Sequence, residues 1–337
     1  MIIYHNSKEY KEYSYAKEED FEKDIITNSK LFFGQNTIYI DAKKKIESKS
    51  FGGTIPDGFL FDFSDKENPE FYIVEAELAK HSFYEHIFAQ ITKFFAFYKN
   101  KSSHSELIDK LYKIVKSDGE IEREFLNFIG KKEIYKSIKD TLDASQNILL
   151  MIDGEKRELP EMFDTYAEWG TMVKYIILKK YTNNSESIFS MHPEFQNIEY
   201  ITGTSVEDIE EEVIEYDEDF HFNKSSPATK EIYQEIKQKI LEYNESAYFN
   251  PQRSYISIKT NRNVAYFKFR KTKVRLIIMM DEGIVRSKIQ SHEIKSLSES
   301  VQKFYNGPCC AIDLNSKKEL GEVINLLIDV VGREKER

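Results

Sequence analysis

The chain has 337 residues, 48 Lys and Arg against 58 Asp and Glu, and a formal net charge of -10. With 40% hydrophobic and 31% charged residues, it is neither disordered nor fibrous and is long enough for two domains. No apolar run approaches the ~20 residues of a membrane span, and two adjacent cysteines, Cys309 and Cys310, exclude a disulfide framework and a cysteine metal knot.

The predicted elements begin with an amphipathic helix over 17–28, whose stripe is Phe21, Ile25 and Ile26. Gly34, after Phe32 and Phe33, stops it. A strand over 36–42 leads into a lysine-rich turn, Lys43 to Lys45. A second strand, 58–63, is entered through Pro56, and a third spans 71–78. The spacing of Phe83, Ile87, Ile91, Phe94 and Tyr98 predicts a long buried-face helix over 81–99. Two or three polar helices follow within 105–142. Strands are expected over 147–153 and 173–181, separated by a helix begun near Pro160, and the lone Trp169 is read as core. Helix, three strands, helix, strand gives an α/β layered core with a mixed sheet. Beyond it come a helix over 230–244, strands at 255–260, 264–270 and 274–281, and a closing helix over 320–331, an α+β pattern.

The charge is unevenly placed. Between Ser205 and Phe222 lie Glu207, Asp208, Glu210, Glu211, Glu212, Glu215, Asp217, Glu218 and Asp219, nine acids with no Lys or Arg. Between Lys224 and Ser300 the balance reverses, with 15 Lys and Arg against 8 Asp and Glu. The net charge is therefore a poor guide to partners. The acidic stretch reads as a solvated boundary. It divides the chain into residues 1–203, with a helical insertion near 104–143, a linker over 204–222, and a basic α+β domain over 223–337.

Within the first domain the informative residues are Asp57, after Pro56, and Glu75 and Glu77 eighteen and twenty residues on. Glu75 and Glu77 are two apart on a strand and so face the same side of the sheet. Asp57 enters the neighbouring strand, so a hairpin brings the three together. Carboxylates on a strand are costly to bury unless they meet a cation. A cluster of oxygen ligands suits Mg²⁺ or Mn²⁺.

Pro56-Asp57 followed by Glu75-Ala76-Glu77 resembles the signature of the PD-(D/E)XK nuclease superfamily. The order of elements over roughly residues 15–180 is similar to that superfamily's core. Glu18 and Glu22, one turn apart on the leading helix, resemble the glutamate that helps complete the metal site in many members. Gln90 resembles the glutamine motif of the RecB-like branch, and His86, four residues earlier, is placed to share its groove. The resemblance implies a restriction-endonuclease-like mixed sheet flanked by helices, followed by the smaller α+β domain. It implies a Mg²⁺- or Mn²⁺-dependent nuclease, with Asp57, Glu75 and Glu77 as metal ligands and catalytic support from Glu18, Glu22 and Gln90. One departure matters. Glu77 stands where most members have lysine, leaving three alternatives: a second metal, Lys80 swinging toward the site, or an inactive module that keeps the fold. His81 and His86 are left as substrate contacts rather than metal ligands.

The second domain resembles a C-terminal domain of unknown function, labelled a predicted transport protein and often attached to nuclease or restriction-associated regions. Lys268, Arg270, Lys271, Lys273 and Arg275 alternate along a strand pair and are expected to present cations to phosphates. The expected partner is nucleic acid, DNA favoured over RNA, with a role in defence implied by resemblance alone. The expected setting is cytoplasmic, and double-strand cleavage from one site per chain would favour a homodimer. The rivals are an inactive nuclease-fold protein that binds nucleic acid or a protein partner, and a scaffold regulated by its acidic linker.

Overall fold

The computed structural model describes residues 1–45, 55–159, 172–183, 185–198, 216–223, 225–252 and 255–333. The helix expected from Pro160, Trp169 and most of the acidic boundary lie outside the described residues. The chain divides into two compact units, Met1–Thr202 and Gly203–Arg337.

In the first unit, α1 (Glu18–Thr27) buries Phe21 and Ile25, as its spacing requires, and α2 (Ser29–Phe33) follows before Gly34 turns the chain at φ 96°. Strands β1 (Ile2–His5) and β2 (Lys8–Tyr13) form a hairpin. After β3 (Thr37–Asp41), the expected lysine turn is one helical turn, α3 (Ala42–Lys45). Then come β4 (Gly58–Asp62) and β5 (Glu70–Glu77). The expected long helix begins as a π-helical turn, Phe83–Ile87, and continues as α4 (Phe88–Lys99). Helices α5 (Lys101–Ser117), α6 (Gly119–Ile129) and α7 (Ile134–Ala144) lead to β6 (Asn147–Ile152), β7 (Val173–Thr182) and β8 (Ser187–His192).

The sheet order among the described residues is β1-β2-β7-β6-β5-β4-β3, with β8 also on β7. Pairing is antiparallel from β3 to β5 and parallel from β5 through β6 to β7, so the sheet is mixed, as expected. Strand alternation divides the core between its two faces. Phe59, Phe61, Phe71, Ile73 and Leu150 pack with Ile87, Ile91 and Phe94 of the later helices. Leu60, Tyr72, Val74, Leu149 and Met151 pack with Phe21, Ile25 and Phe33 of the leading ones.

The second unit opens with α8 (Glu218–Phe222), α9 (Pro227–Tyr243), β9 (Tyr248–Gln252), β10 (Tyr255–Lys259), β11 (Asn263–Phe269) and β12 (Val274–Ile278). It continues with α10 (Glu282–Lys288), β13 (Ile294–Ser296), α11 (Glu299–Phe304), β14 (Cys310–Leu314) and α12 (Leu320–Arg333). Its sheet is antiparallel, in the order β13-β14-β12-β11-β10-β9. One face buries Phe267, Leu276 and Ile312 against Ile232, Ile236 and Leu327. Residues 218–222, read from the sequence as the end of the linker, are a helix tied into this unit: Glu218 accepts from Lys237 at 2.6 Å and from the Tyr233 hydroxyl. No helix among the described residues is long and apolar enough to cross a membrane.

Candidate active site

Antiparallel pairing of β4 with β5 sets Gly58 opposite Val74, which leaves Asp57, just before β4, beside Glu75. The Asp57 side chain accepts from the Ala76 amide at 2.7 Å, and the Asp57 amide points to Glu75 Oε2 at 3.4 Å, a long contact. Glu75 and Glu77 alternate onto the side of β5 that carries Phe71 and Ile73, while Asp57 lies in the bend just before β4. All three are buried, Glu77 to 1% exposure.

Helix α1 supplies two further carboxylates, and its placement is specified by polar ties. Lys80 donates to the carbonyls of Tyr15 and Ala16 at 3.1 and 2.7 Å, fixing the entry to α1 against the loop after β5. Asp24, two turns along, accepts from the Tyr15 hydroxyl at 2.7 Å and from Lys180 of β7 at 2.8 Å. Glu18 and Glu22 are thereby brought to Asp57, and one oxygen of each lies within 4.8 Å of the others.

A second group joins Glu18 to Glu77, His81 and His86, again with donor atoms within 4.8 Å of one another. His81 Nδ1 lies 2.9 Å from Glu77 Oε2 and 3.2 Å from Glu18 Oε2. His86 Nε2 lies 3.1 Å from the other Glu77 oxygen. Glu75 enters neither group among the described residues, although it adjoins Asp57.

The cation of this site was not read from the sequence. Lys43, on α3, bridges Asp57 Oδ1 and Glu22 Oε1, the latter at 2.9 Å. Burial works against its charge, but the carboxylates of Asp57 and Glu22 outweigh that cost and raise its pKa. One ammonium does not balance the cluster. Burial, with Glu22 adding and Lys43 opposing, pushes the Asp57 carboxyl up to about 7. Burial and then Glu18 and Asp57 push Glu77 up to about 8. Burial, followed by Asp57 and Glu77, holds Glu75 well above the carboxylate range, and burial with Glu22 raises Glu18. Convergent carboxylates whose pKa values rise this way mark a place suited to an added cation.

Several expected residues are placed otherwise. Lys80 does not reach the carboxylates; the two backbone carbonyls hold its ammonium, which makes it a positioning residue for α1. His86 joins the Glu77 group, while Gln90 lies half-buried in the first turn of α4. In the second unit the expected phosphate-facing strip is largely internal. Lys268, Lys273 and Arg275 are buried, Arg270 is half-buried, and of the five only Lys271 is exposed. Asp313 of β14 accounts for two of them: Lys273 reaches it at 2.7 Å, and Arg275 grips it through two nitrogens at 2.7 and 3.0 Å. Lys295 adds a third cation at 2.8 Å. Cys309 and Cys310 are buried, and burial pushes both thiols up to about 12, so they pack rather than react.

Lys43 and His81 are the residues sequence reasoning missed in their observed roles. The available signals were a lysine run directly after a strand and two histidines five residues apart, a spacing that misses the α-helical repeat. No curated protein matches the chain. No solved structure matches it either. Over residues 218–307 the chain matches a family described as a domain of unknown function, DUF5655, a span that runs from α8 through α11 and leaves the carboxylate-bearing unit outside it.

Proposed function

We propose that the first unit is a metal-dependent nuclease that hydrolyses phosphodiester bonds of nucleic acid, DNA favoured. The reading rests on the PD-(D/E)XK resemblance, and one observation carries it. Asp57, beside Glu75 at the mouth of β4 and β5, meets Glu18 and Glu22 of α1 in a partly buried cluster that a single lysine underbalances. The donor set fits a Mg²⁺ or Mn²⁺ ion, since Asp57, Glu22 and Glu18 offer only carboxylate oxygens at close range. When bound, such an ion polarises a phosphodiester and stabilises the leaving oxygen.

The chain's own side chains supply the rest. Lys43 provides the ammonium that the Glu77 position lacks, in contact with Asp57 and Glu22, where negative charge on a phosphoryl oxygen would gather. Glu75 adds a buried carboxyl beside Asp57, its Oε2 3.4 Å from the Asp57 amide, as a further oxygen at the strand mouth. Gln90, by resemblance, positions the nucleic-acid backbone.

The test is cleavage of single- and double-stranded DNA and RNA by the full chain with Mg²⁺ or Mn²⁺. Asp57→Asn should lower the rate by roughly a hundredfold or more, at least what losing an outer-shell partner costs a metal site. No cutting of any substrate by the wild type, or equal cutting by the variant, would sink the nuclease reading. A second reading has one observation behind it. Lys43 already seats a cation on Asp57 and Glu22, as an inactive nuclease-fold module retained for binding would require. That module would show salt-sensitive binding to nucleic acid without cleavage.

A further inference from the structure

We propose that Glu18, Glu77, His81 and His86 form a second cation site, beside the Asp57 group, that takes a first-row transition dication in preference to Mg²⁺. The inference deepens the nuclease reading and rests on it only in assigning both ions to one pocket.

The two groups share Glu18 but differ in chemistry. The Asp57 group is all oxygen, and Lys43 is seated within it. The Glu77 group pairs two imidazole nitrogens with two carboxylates, and imidazole suits Zn²⁺, Fe²⁺ or Ni²⁺ better than Mg²⁺, which keeps oxygen ligands and its water. Four donors of this mixed kind match the number and type that Zn²⁺ binds.

Charge separates the groups as well. Glu77 is almost fully buried, and no Lys or Arg pairs with it among the described residues. Its two oxygens face His81 Nδ1 at 2.9 Å and His86 Nε2 at 3.1 Å, so each oxygen has a nitrogen beside it. A buried carboxylate without a fixed cation is costly. Its histidine partners are the side chains that bind dications when neutral.

The local backbone serves this arrangement. His81 lies in the bend after β5, and His86 in the π-helical turn Phe83–Ile87. The two ring centroids are 5.0 Å apart. π-helical turns cost backbone energy and gather at functional sites. Access is open: the His86 side chain is 48% exposed and that of His81 29%.

The test is calorimetric titration of the untagged full chain with Zn²⁺ in excess Mg²⁺, alongside visible absorption with Co²⁺ as the spectroscopic probe. The wild type is expected to bind one Zn²⁺ and to give a Co²⁺ band characteristic of nitrogen ligation. His81→Asn and His86→Asn should each weaken Zn²⁺ by roughly tenfold or more and shift that band. Asp57→Asn should leave both nearly unchanged. Both histidines are partly exposed, and unchanged circular dichroism would show that the variants fold.

No Zn²⁺ binding by the wild type, or equal affinity in both histidine variants, overturns the site. So does loss of binding in Asp57→Asn with retention in the histidine variants. The outcomes separate the two readings. Zn²⁺ affinity that depends on the histidines, with no cleavage under any condition, keeps the site and removes the nuclease. Cleavage that depends on Asp57, with Zn²⁺ affinity indifferent to the histidines, does the reverse.

Discussion

Lys43 alone places a fixed positive charge in contact with Asp57 and Glu22 among the described residues. Its removal leaves the buried Asp57 without a counter-ion. Breaking a fully buried pair costs about 3–5 kcal/mol. Lys43 is 45% exposed, so Lys43→Ala should cost less, about 1–2 kcal/mol in urea unfolding with chelator present. Added Mg²⁺ should recover most of that loss in the variant, because a dication replaces the missing charge. An unchanged midpoint without metal would show that solvent already screens the pair. The carboxylates were legible in the sequence because strand alternation forces Glu75 and Glu77 to one face and a hairpin brings Asp57 opposite. Lys43 was not, because its role depends on a four-residue helix, Ala42–Lys45, that sets its ammonium over Asp57 and Glu22. Lys80, one of three alternatives for the missing lysine, is placed elsewhere for a related reason. Proximity in sequence put it near the site, but two backbone carbonyls had the stronger geometric claim on its ammonium.

Among the elements, long periodic segments were predictable and short polar ones were not. The stretch from Phe83 through α4 buries the residues its spacing singles out, and α1 buries Phe21 and Ile25 of its stripe while Ile26 stays half-buried. The hairpin β1–β2 went unread because its strand KEYKEY buries only Tyr10, and β8 buries no residue at all. Strand β9 carries Pro251, which its edge position tolerates. The strip from Lys268 to Arg275 misled because alternating cations read as a solvent face. Asp313, nearly forty residues on and opposite Arg275 on β14, makes it an internal ion-pair network. Asp313→Asn should therefore cost about 3–5 kcal/mol, since it leaves the buried Lys273 and Arg275 without that shared partner. A loss below about 1 kcal/mol in chemical unfolding would mean the cations find other partners. The β3–β4 pair makes its own demand. A Cβ on Gly58 would overlap the Tyr39 ring, which crosses it from the neighbouring strand. Gly58→Ala should cost about 1–3 kcal/mol. It should also weaken divalent-ion binding, because Asp57 is the next residue; retained affinity alongside lost stability would show that the strand shifts without moving the carboxylate.

The two units have separate hydrophobic cores and opposite electrostatic balances, so pH should act on them in opposite directions. In the first unit without metal, burial raises Asp57 to about 7 and Glu77 to about 8. An unfolded carboxylate titrates near ~4. The folded unit therefore holds protons that the unfolded chain has released. The resulting stabilisation is fully present below about pH 4 and is lost as the pH rises through the two folded values. In the second unit Asp313 behaves the other way. Burial opposes its charge, but Arg275 and Lys273 outweigh this and hold its carboxyl far below the ordinary range. Its contribution is present above about pH 4 and is lost as the pH falls toward the folded value. Calorimetry with chelator present should thus resolve two transitions. Raising the pH from about 6.5 to about 8 should lower one and leave the other nearly fixed. That window lies above the range where His221, held low by burial, destabilises the second unit and below the range where its buried thiols do. Asp313→Asn should lower only the fixed one, which assigns it to the second unit. Mg²⁺ should restore the pH-sensitive transition at the alkaline end, where the carboxylates are ionised and ready to bind. If that transition instead rises with pH in chelator, the buried carboxylates are already charge-balanced, and the electrostatic case for a cation between them fails.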